Sequence, residues 1–364
     1  MKPKLLFIVN QAEFFISHRL PIALEARDQG FEVAIASGGN FKLLEQYGFE
    51  IFPLSLNRNS FITIFKELFL IRNAIQSFKP TCVHLVTIKP VLLGGILARL
   101  LKIKSVVYAI SGLGFIFINK GFIATFKKKL VMFFYKISLG HKNSKVIFQN
   151  NDDKQLFLDN HLVKEKNIVM IQGSGVDLDK FQPFHIENDK VRIILPARML
   201  KDKGVYEFVK AAQIIGNEKA EFILVGGLDD DGNPTRINEK TLNSFEGVSW
   251  IGHKNNMQDV IKNADIVCLP SYREGLPKAL IEACACAKPI VTTNTAGCRD
   301  VVDEGVNGFL VKVKVVDELV IALKKLIDDK HLREKFGNLG RKKAEKQFSL
   351  KSVISKTIDI YKSF

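Results

Sequence analysis

Short apolar runs recur along this chain, separated by longer segments in which apolar positions return every three or four residues. KLLFIV (4–9) opens the series and predicts a strand, and SHRLPIALEARDQG (17–30) predicts a capped helix closed by Gly30. FEVAIAS (31–37), CVHLVT (82–87), SVVYAI (105–110), KVIFQN (145–150) and NIVMIQ (167–172) are the next strands, with helical periodicity between them. Strand and helix in strict alternation predict an α/β fold with a parallel, doubly wound sheet. The pattern then restarts. VRIILPAR (191–198), EFILVGG (221–227), VSWIG (248–252), DIVCLPS (265–271), KPIVTTN (288–294) and GFLVKV (308–313) read as a second set of strands. KFQPFHIENDK (180–190), with its proline and charges, reads as the linker. The expected domains are therefore 1–183 and 184–348, followed by a helical tail, SLKSVISKTIDIYKSF (349–364), that crosses back onto the first. Two Rossmann-like halves of this kind leave a cleft where the carboxyl ends of their strands converge, the usual place for ligands.

A length of 364 residues suits two such domains, and an apolar content of 47% is ordinary for a globular protein. The longest apolar runs, VLLGGILARLL (91–101) and SVVYAISGLGFIFI (105–118), are shorter than the roughly 20 residues of a spanning helix. The amino terminus has too brief an apolar core for a secretory signal. Five cysteines in an odd set suggest neither a disulfide framework nor a zinc site, which favours a reducing cytoplasm.

Charge changes the picture through its location. Of the net +15, residues 1–185 carry +11 (24 Lys and Arg against 13 Asp and Glu), and between Glu67 and Asp152 there are 13 basic residues and no acidic one. Within that interval NKGFIATFKKKLVMFFYKISLGHKNSK (119–145) interleaves lysine with Phe, Leu, Ile and Met. Such a segment suits an anionic membrane surface, at on the order of 1 kcal/mol per basic residue, and Lys127, Lys128 and Lys129 are its candidate contacts. The competing reading is a solvated helix with its apolar side in the core. No nucleic-acid motif accompanies the charge, so nucleic acid is not an expected partner. The expected location is cytoplasmic, peripheral on the inner face of the cell membrane.

The chemistry concentrates in SYREGLPKALIEACACAKPIVTT (271–293), where Glu274 and Glu282 stand eight positions apart around Pro277. YREGLP is the loop at the carboxyl end of a strand, and Pro277 suits the first turn of the helix that follows. Open amides around Gly275, Leu276, Pro277 and Lys278, together with the helix dipole, favour an anion such as a diphosphate. Ionised carboxylates beside an anion site need hydroxyls to accept from, and a vicinal diol supplies them. A molecule with a diphosphate between two sugars is a nucleotide sugar. PARMLKDKG (196–204) contributes Arg198 and Lys203 for the diphosphate, and the loops after ILVGG and at IGHKNN place Gly226, His253 and Lys254 to bracket base and ribose.

PAR–x4–KG, LVGG, EGLP–x4–EA and NG–F (307–309) resemble the donor half of glycosyltransferase family 4, retaining enzymes of the GT-B fold. SHRLPIAL, YAISGLGF (108–115), GSGVDLDKFQP (173–183) and AGCRDVV (296–302) are similar to bacterial enzymes that extend undecaprenyl-diphosphate-linked sugars in surface-polysaccharide or glycan biosynthesis. The resemblance covers nearly the whole chain. It implies that Arg198 and Lys203 hold the diphosphate, Glu282 the ribose and Glu274 the donor ring. It also implies a UDP-linked N-acetylhexosamine such as N-acetylgalactosamine as donor, a polyprenyl-diphosphate-linked acceptor, and neither metal nor other cofactor. The sequence departs from the family where NQAEFFISHR (10–19) replaces a Gly-Gly loop and Ser111-Gly112 replace a histidine. The first-domain contact is left with His18, Ser111 and Gly112 as acceptor-side candidates, whereas His84, inside a strand, reads as core.

Four other readings compete. DDDG (229–232) contains the Asp-x-Asp of metal-dependent transferases but reads as a solvated loop. A UDP-sugar epimerase shares the architecture, yet the glutamate pair favours transfer. A non-catalytic membrane scaffold leaves the features of 196–309 unexplained, and the absence of G-x-G-x-x-G after the first strand disfavours a dehydrogenase.

Overall fold

Most of the runs read as strands become buried parallel strands, because a strand covered on both faces must be apolar on both. The computed structural model describes residues 2–55, 63–113, 121–184, 187–229 and 233–364, and the side chains of 122–124 are outside that description. The chain divides into two units: Met1–Ser174 with Lys351–Phe364, and Gly175–Leu350. Residues 175–183, grouped with the first domain by composition, lie in the second unit, where Val176 and Phe181 join the core. Two of the linker residues, 185 and 186, lie outside the described residues.

The first unit is built on β1 (Lys4–Val9), β2 (Glu32–Ser37), β3 (Glu50–Pro53), β4 (Cys82–Val86), β5 (Ser105–Ile110), β6 (Ser144–Phe148) and β7 (Ile168–Met170). They run parallel in the order β3-β2-β1-β4-β5-β6-β7, with Lys4 opposite Glu32 on one side of β1 and Leu5 opposite Cys82 on the other. The strand order therefore reverses between β1 and β4. One face of the sheet packs against Ile64–Phe78, Gly95–Leu100 and Phe122–Ser138. The other packs against Leu20–Asp28 and the terminal helix Leu350–Lys362, whose Val353, Ile358, Ile360 and Tyr361 join the core. His84 is buried there, its ring stacked 5.0 Å from Phe7 and Nδ1 facing the Tyr361 hydroxyl. Burial holds this imidazole neutral by pushing its pKa well below the ordinary histidine value.

The helix expected over 17–30 is two helices. Ala12–His18 starts straight after β1, with the Ala12 amide donating to the Gly38 carbonyl at 3.0 Å. Arg19, at φ −130°, breaks it, and Leu20–Asp28 follows with Pro21 in its first turn, where a missing N–H costs nothing. His18 thus ends a helix rather than starting one.

The second unit holds β8 (Val191–Pro196), β9 (Ala220–Val225), β10 (Ser249–Trp250), β11 (Ile266–Leu269), β12 (Ile290–Thr293) and β13 (Gly308–Val311), parallel in the order β10-β9-β8-β11-β12-β13. Its reversal lies between β8 and β11, where Ile193 stands opposite Ile266. A single core of aliphatic side chains, extended by Phe208, Phe222, Phe336 and Phe348, fills the space between this sheet and its helices.

Candidate functional site

In an open parallel sheet the loops at the carboxyl ends of the strands around the reversal are where a ligand meets both free backbone and helix starts. In the second unit these loops are stitched together from β10 to β12. The Met199 amide donates to the Gly227 carbonyl at 3.0 Å, joining the loop after β8 to that after β9. Gly226 carries the closest approach: at φ +153°, a Cβ there would lie 1.8 Å from the Ala197 carbonyl oxygen. Its own carbonyl accepts from Trp250 Nε1 at 2.9 Å, which fixes the loop after β10, and the Cβ of His253 lies against Gly227. On the other side, Tyr272 N donates to Asp202 O at 2.9 Å and Ser271 Oγ to the same carbonyl at 3.1 Å. Gly297, at φ +79°, closes the row: a Cβ would meet the carbonyls of Gly275 and Glu274 at 2.6 and 2.7 Å, so the loop after β12 presses on the loop after β11.

The predicted charges sit on this row. Lys203 Nζ lies 2.5 Å from Glu274 Oε1, and the two side chains are only 17% and 12% exposed. Glu274 is further pinned by its amide, which donates to Ala296 O at 3.2 Å. Arg198 is half-exposed and pairs with Asp229, whose carboxylate is buried. Asp229 therefore does not belong to a solvated loop as expected, because the turn at Gly226–Gly227 carries it back over the loop after β8. Asp230, Asp231 and Gly232 lie outside the described residues.

The helix after Glu274 runs from Lys278 to Ala285, with Pro277 at the cap position, one residue before the expected first turn. Its start carries no side-chain cap, while Leu280 N and Ile281 N donate to the Pro277 carbonyl. Gly275, Leu276 and Pro277 are buried. Glu282 lies one turn inside, 6% exposed, with Lys278 Nζ at 3.6 Å. Burial raises its pKa above the ordinary glutamate value, and Lys278 and Lys180 oppose the rise. The arrangement thus has two exposed-to-half-buried cations, one carboxylate at the loop and one in the helix, all on one sheet edge. Sequence reasoning missed Asp229, and also Tyr272, whose hydroxyl donates to Glu207 at 2.7 Å and whose ring lies 4.8 Å under Lys314 Nζ. His253 and Lys254 are exposed, with His253 Nε2 3.2 Å from Asn255 Oδ1.

In the first unit, Ser111 and Gly112 lie half-buried at the end of β5. His18 stacks on Phe14 at 4.1 Å, with Nδ1 3.2 Å from the Phe14 carbonyl. Lys127 and Lys129 are exposed on Phe122–Ser138 and Lys128 is half-buried.

Residues 177–343 match the family "Glycosyl transferases group 1" and residues 4–150 match "Glycosyl transferase 4-like". The chain is 28% identical over 344 residues to the N,N'-diacetylbacillosaminyl-diphospho-undecaprenol alpha-1,3-N-acetylgalactosaminyltransferase of Campylobacter jejuni, covering 88% of this chain and 90% of that protein. It is 29% identical over 333 residues to the UDP-Gal:alpha-D-GlcNAc-diphosphoundecaprenol alpha-1,3-galactosyltransferase of Escherichia coli, covering 85% and 82%. Among solved structures, the sucrose-phosphate synthase of Thermosynechococcus elongatus aligns with a TM-score of 0.82 at 17% identity, over 100% of this chain and 99% of that one. Anabaena HepE, solved with UDP and glucose, aligns at 0.77 and 18% over 100% of both. The two parallel-sheet α/β units, the stitched loop row and these matches agree: the chain belongs to the family 4 (group 1) glycosyltransferases of the GT-B fold, and is a hexosyltransferase.

Proposed function

We propose that the protein moves a UDP-linked N-acetylhexosamine, with N-acetylgalactosamine first in line, onto a saccharide carried by undecaprenyl diphosphate at an anionic membrane surface. The observation that carries the donor side is the Lys203–Glu274 pair at the start of the helix that buries Glu282. In this reading Lys203 and Arg198 neutralise the diphosphate, Glu274 accepts from hydroxyls of the donor ring and Glu282 from those of the ribose. Gly226, His253 and Lys254 border the base, and the backbone amides of Gly275 and Leu276, just before Pro277, face the phosphates. Lys203 and Glu274 hold each other in place, and the incoming diphosphate becomes a second partner for the same cation. The relatives named above act on undecaprenyl-diphosphate-linked sugars, which supports the acceptor class.

Transfer with retention breaks the bond between the sugar C1 and the diphosphate and forms a bond from C1 to an acceptor oxygen on the same face. The departing diphosphate takes the acceptor proton. Arg198 and Lys203 stand where the negative charge grows, the kind of placement that lowers such a barrier. No residue here is assigned as nucleophile and no metal is assigned to the reaction.

The membrane side rests on the outward face of Phe122–Ser138, where Phe126, Leu130 and Phe133 are 64%, 40% and 58% exposed among Lys127, Lys129 and Lys136. Exposed aromatics on a basic helix fit the boundary between headgroups and acyl chains. Among the described residues no helix is long and apolar enough to cross a membrane.

A thermal-shift screen of nucleotide sugars tests the donor. UDP-N-acetylhexosamines raise the melting temperature in the expected result, because a ligand that binds only the folded state stabilises it. A screen in which no UDP-sugar shifts the transition overturns the proposal.

A further inference from the structure

The first unit has its own strand-order reversal, between β1 and β4, and two buried oxygens there lack any hydrogen-bond partner among the described residues. They are Asn10 Oδ1, at the end of β1, and Thr87 Oγ1, at the end of β4. The pairing of Leu5 with Cys82 and Ile8 with Leu85, continued two steps, sets Asn10 opposite Thr87. Buried polar atoms are almost always satisfied, so two orphans just past the ends of neighbouring strands, at the place where such sheets bind ligands, stand out.

The backbone adds a separate observation. Thr87 has φ +73°, a left-handed conformation that a β-branched residue rarely adopts, and it leads directly into the π-helical turn Pro90–Gly94. Strained φ and π-turns both gather at functional sites. The described residues directly after these strands are also neutral, save Lys89. Asn10, Gln11, Thr87, Ile88, Ser111 and Gly112 carry no charge, and Lys89 is committed to Glu67, with Nζ 2.8 and 2.9 Å from its two oxygens. Neutral hydrogen-bonding groups without cations suit hydroxyls rather than phosphates. Asn10 and Thr87 are both half-buried.

We infer that Asn10 and Thr87 form a hydroxyl-binding subsite that positions the acceptor sugar; this rests on the lipid-linked acceptor proposed above. Neither residue takes part in bond making. Each supplies an oxygen to which a sugar hydroxyl donates, and the Asn10 amide can also donate.

The test compares Thr87→Val, Thr87→Ser and Asn10→Ala, with GlcNAc-diphosphoundecaprenol as acceptor probe and UDP-N-acetylgalactosamine as donor. Thr87→Val keeps the shape and removes the hydroxyl. Its kcat/KM for the acceptor falls at least tenfold, as does that of Asn10→Ala. Thr87→Ser restores most of it, and donor affinity and slow donor hydrolysis stay within twofold. The melting temperature of unliganded Thr87→Val is equal to or above that of the wild type, since the hydroxyl has no internal partner to lose. Unchanged acceptor kcat/KM in Thr87→Val and Asn10→Ala overturns the subsite, as does a fall of about 3 °C or more in the melting temperature of Thr87→Val. Should Thr87→Val fail to fold, Asn10→Ala and Thr87→Ser decide on kinetics. A wild type that binds donor but ignores this acceptor refutes the lipid-linked reading alone, and the melting comparison still rules on the subsite.

Discussion

The two sheets share a topology, yet their carboxyl edges carry opposite chemistry. In the second unit the edge is charged, and its ions are met at close range: Arg198 by Asp229, Lys203 by Glu274, Glu282 by Lys278. In the first unit the described residues directly after β1, β4 and β5 are neutral apart from Lys89, which pairs with Glu67, while the positive charge sits on the outer helices, with exposed Phe65 and Phe69 on Ile64–Phe78 and Phe126 and Phe133 on Phe122–Ser138. On the proposed reading, the difference lets one fold serve two ligands. A diphosphate needs cations held at fixed points before it arrives, and paired carboxylates keep them there. A sugar hydroxyl needs neutral donors and acceptors, and a cation left unpaired beside it would attract the wrong ligand.

The largest effect should come from breaking the charged edge. Lys203→Ala, and separately Arg198→Ala, is expected to lower kcat about a hundredfold or more, since one such contact with developing charge contributes roughly 2.7–4 kcal/mol to the barrier. Lys203→Ala also strands Glu274 beside the diphosphate, so it should be the more damaging of the two. Steady-state kinetics with saturating donor checks this, and near-normal turnover in both variants would take the diphosphate away from these residues.

The outer helices come next. Replacing Lys127, Lys128 and Lys129 with Gln should weaken binding to anionic vesicles by about tenfold to a hundredfold, at on the order of 1 kcal/mol for each residue that reaches the surface. Lys128 is half-buried and should contribute least. Flotation with phosphatidylglycerol vesicles measures it, and undiminished binding removes these lysines from the docking face. Soluble-donor hydrolysis should be unchanged in the same protein, which separates this face from the charged edge.

What was legible beforehand divides along the same lines. Strands buried on both faces, such as KLLFIV and DIVCLP, announce themselves as unbroken apolar runs. β3 does not: EIFP is a four-residue edge strand, paired only with β2, half exposed and ended by proline, so no run marks it. SHRLPIALEARDQG read as one capped helix, but AEFFISH had already formed a helix from Ala12. At the candidate site, Arg198, Lys203, Glu274 and Glu282 could be proposed because each lies at a short offset from a strand end. Their partners could not, because Lys203–Glu274 joins residues 71 positions apart and Arg198–Asp229 residues 31 apart, and only the close approach of Gly226 to Ala197 brings the second pair together. Asn10 and Thr87 were invisible for a related reason: a missing partner is a property of packing, and no residue type signals it.

The smallest effect is the most discriminating, because it separates stability from binding within the charged edge itself. Glu282 is buried, and burial raises its pKa despite Lys278 and Lys180. A carboxyl whose folded pKa lies above its unfolded value holds its proton more tightly when folded. It therefore stabilises the fold below the ordinary glutamate range, and that contribution is lost as pH rises through the folded pKa. At neutral pH the ionised group is a net cost to the unliganded protein. Glu282→Gln removes the charge and keeps the shape, so at pH 7 the variant should melt no lower than wild type, and the difference should shrink as the pH falls below the ordinary glutamate range. Nucleotide affinity should move the other way, weakening about tenfold as the charge-assisted acceptor for the ribose hydroxyls is lost, about 1.4 kcal/mol. Calorimetry with UDP beside thermal melts reads both. A variant that melts lower and binds equally well would make Glu282 a structural partner of Lys278, whereas one that melts higher and binds worse shows a side chain kept at the expense of stability for what it holds.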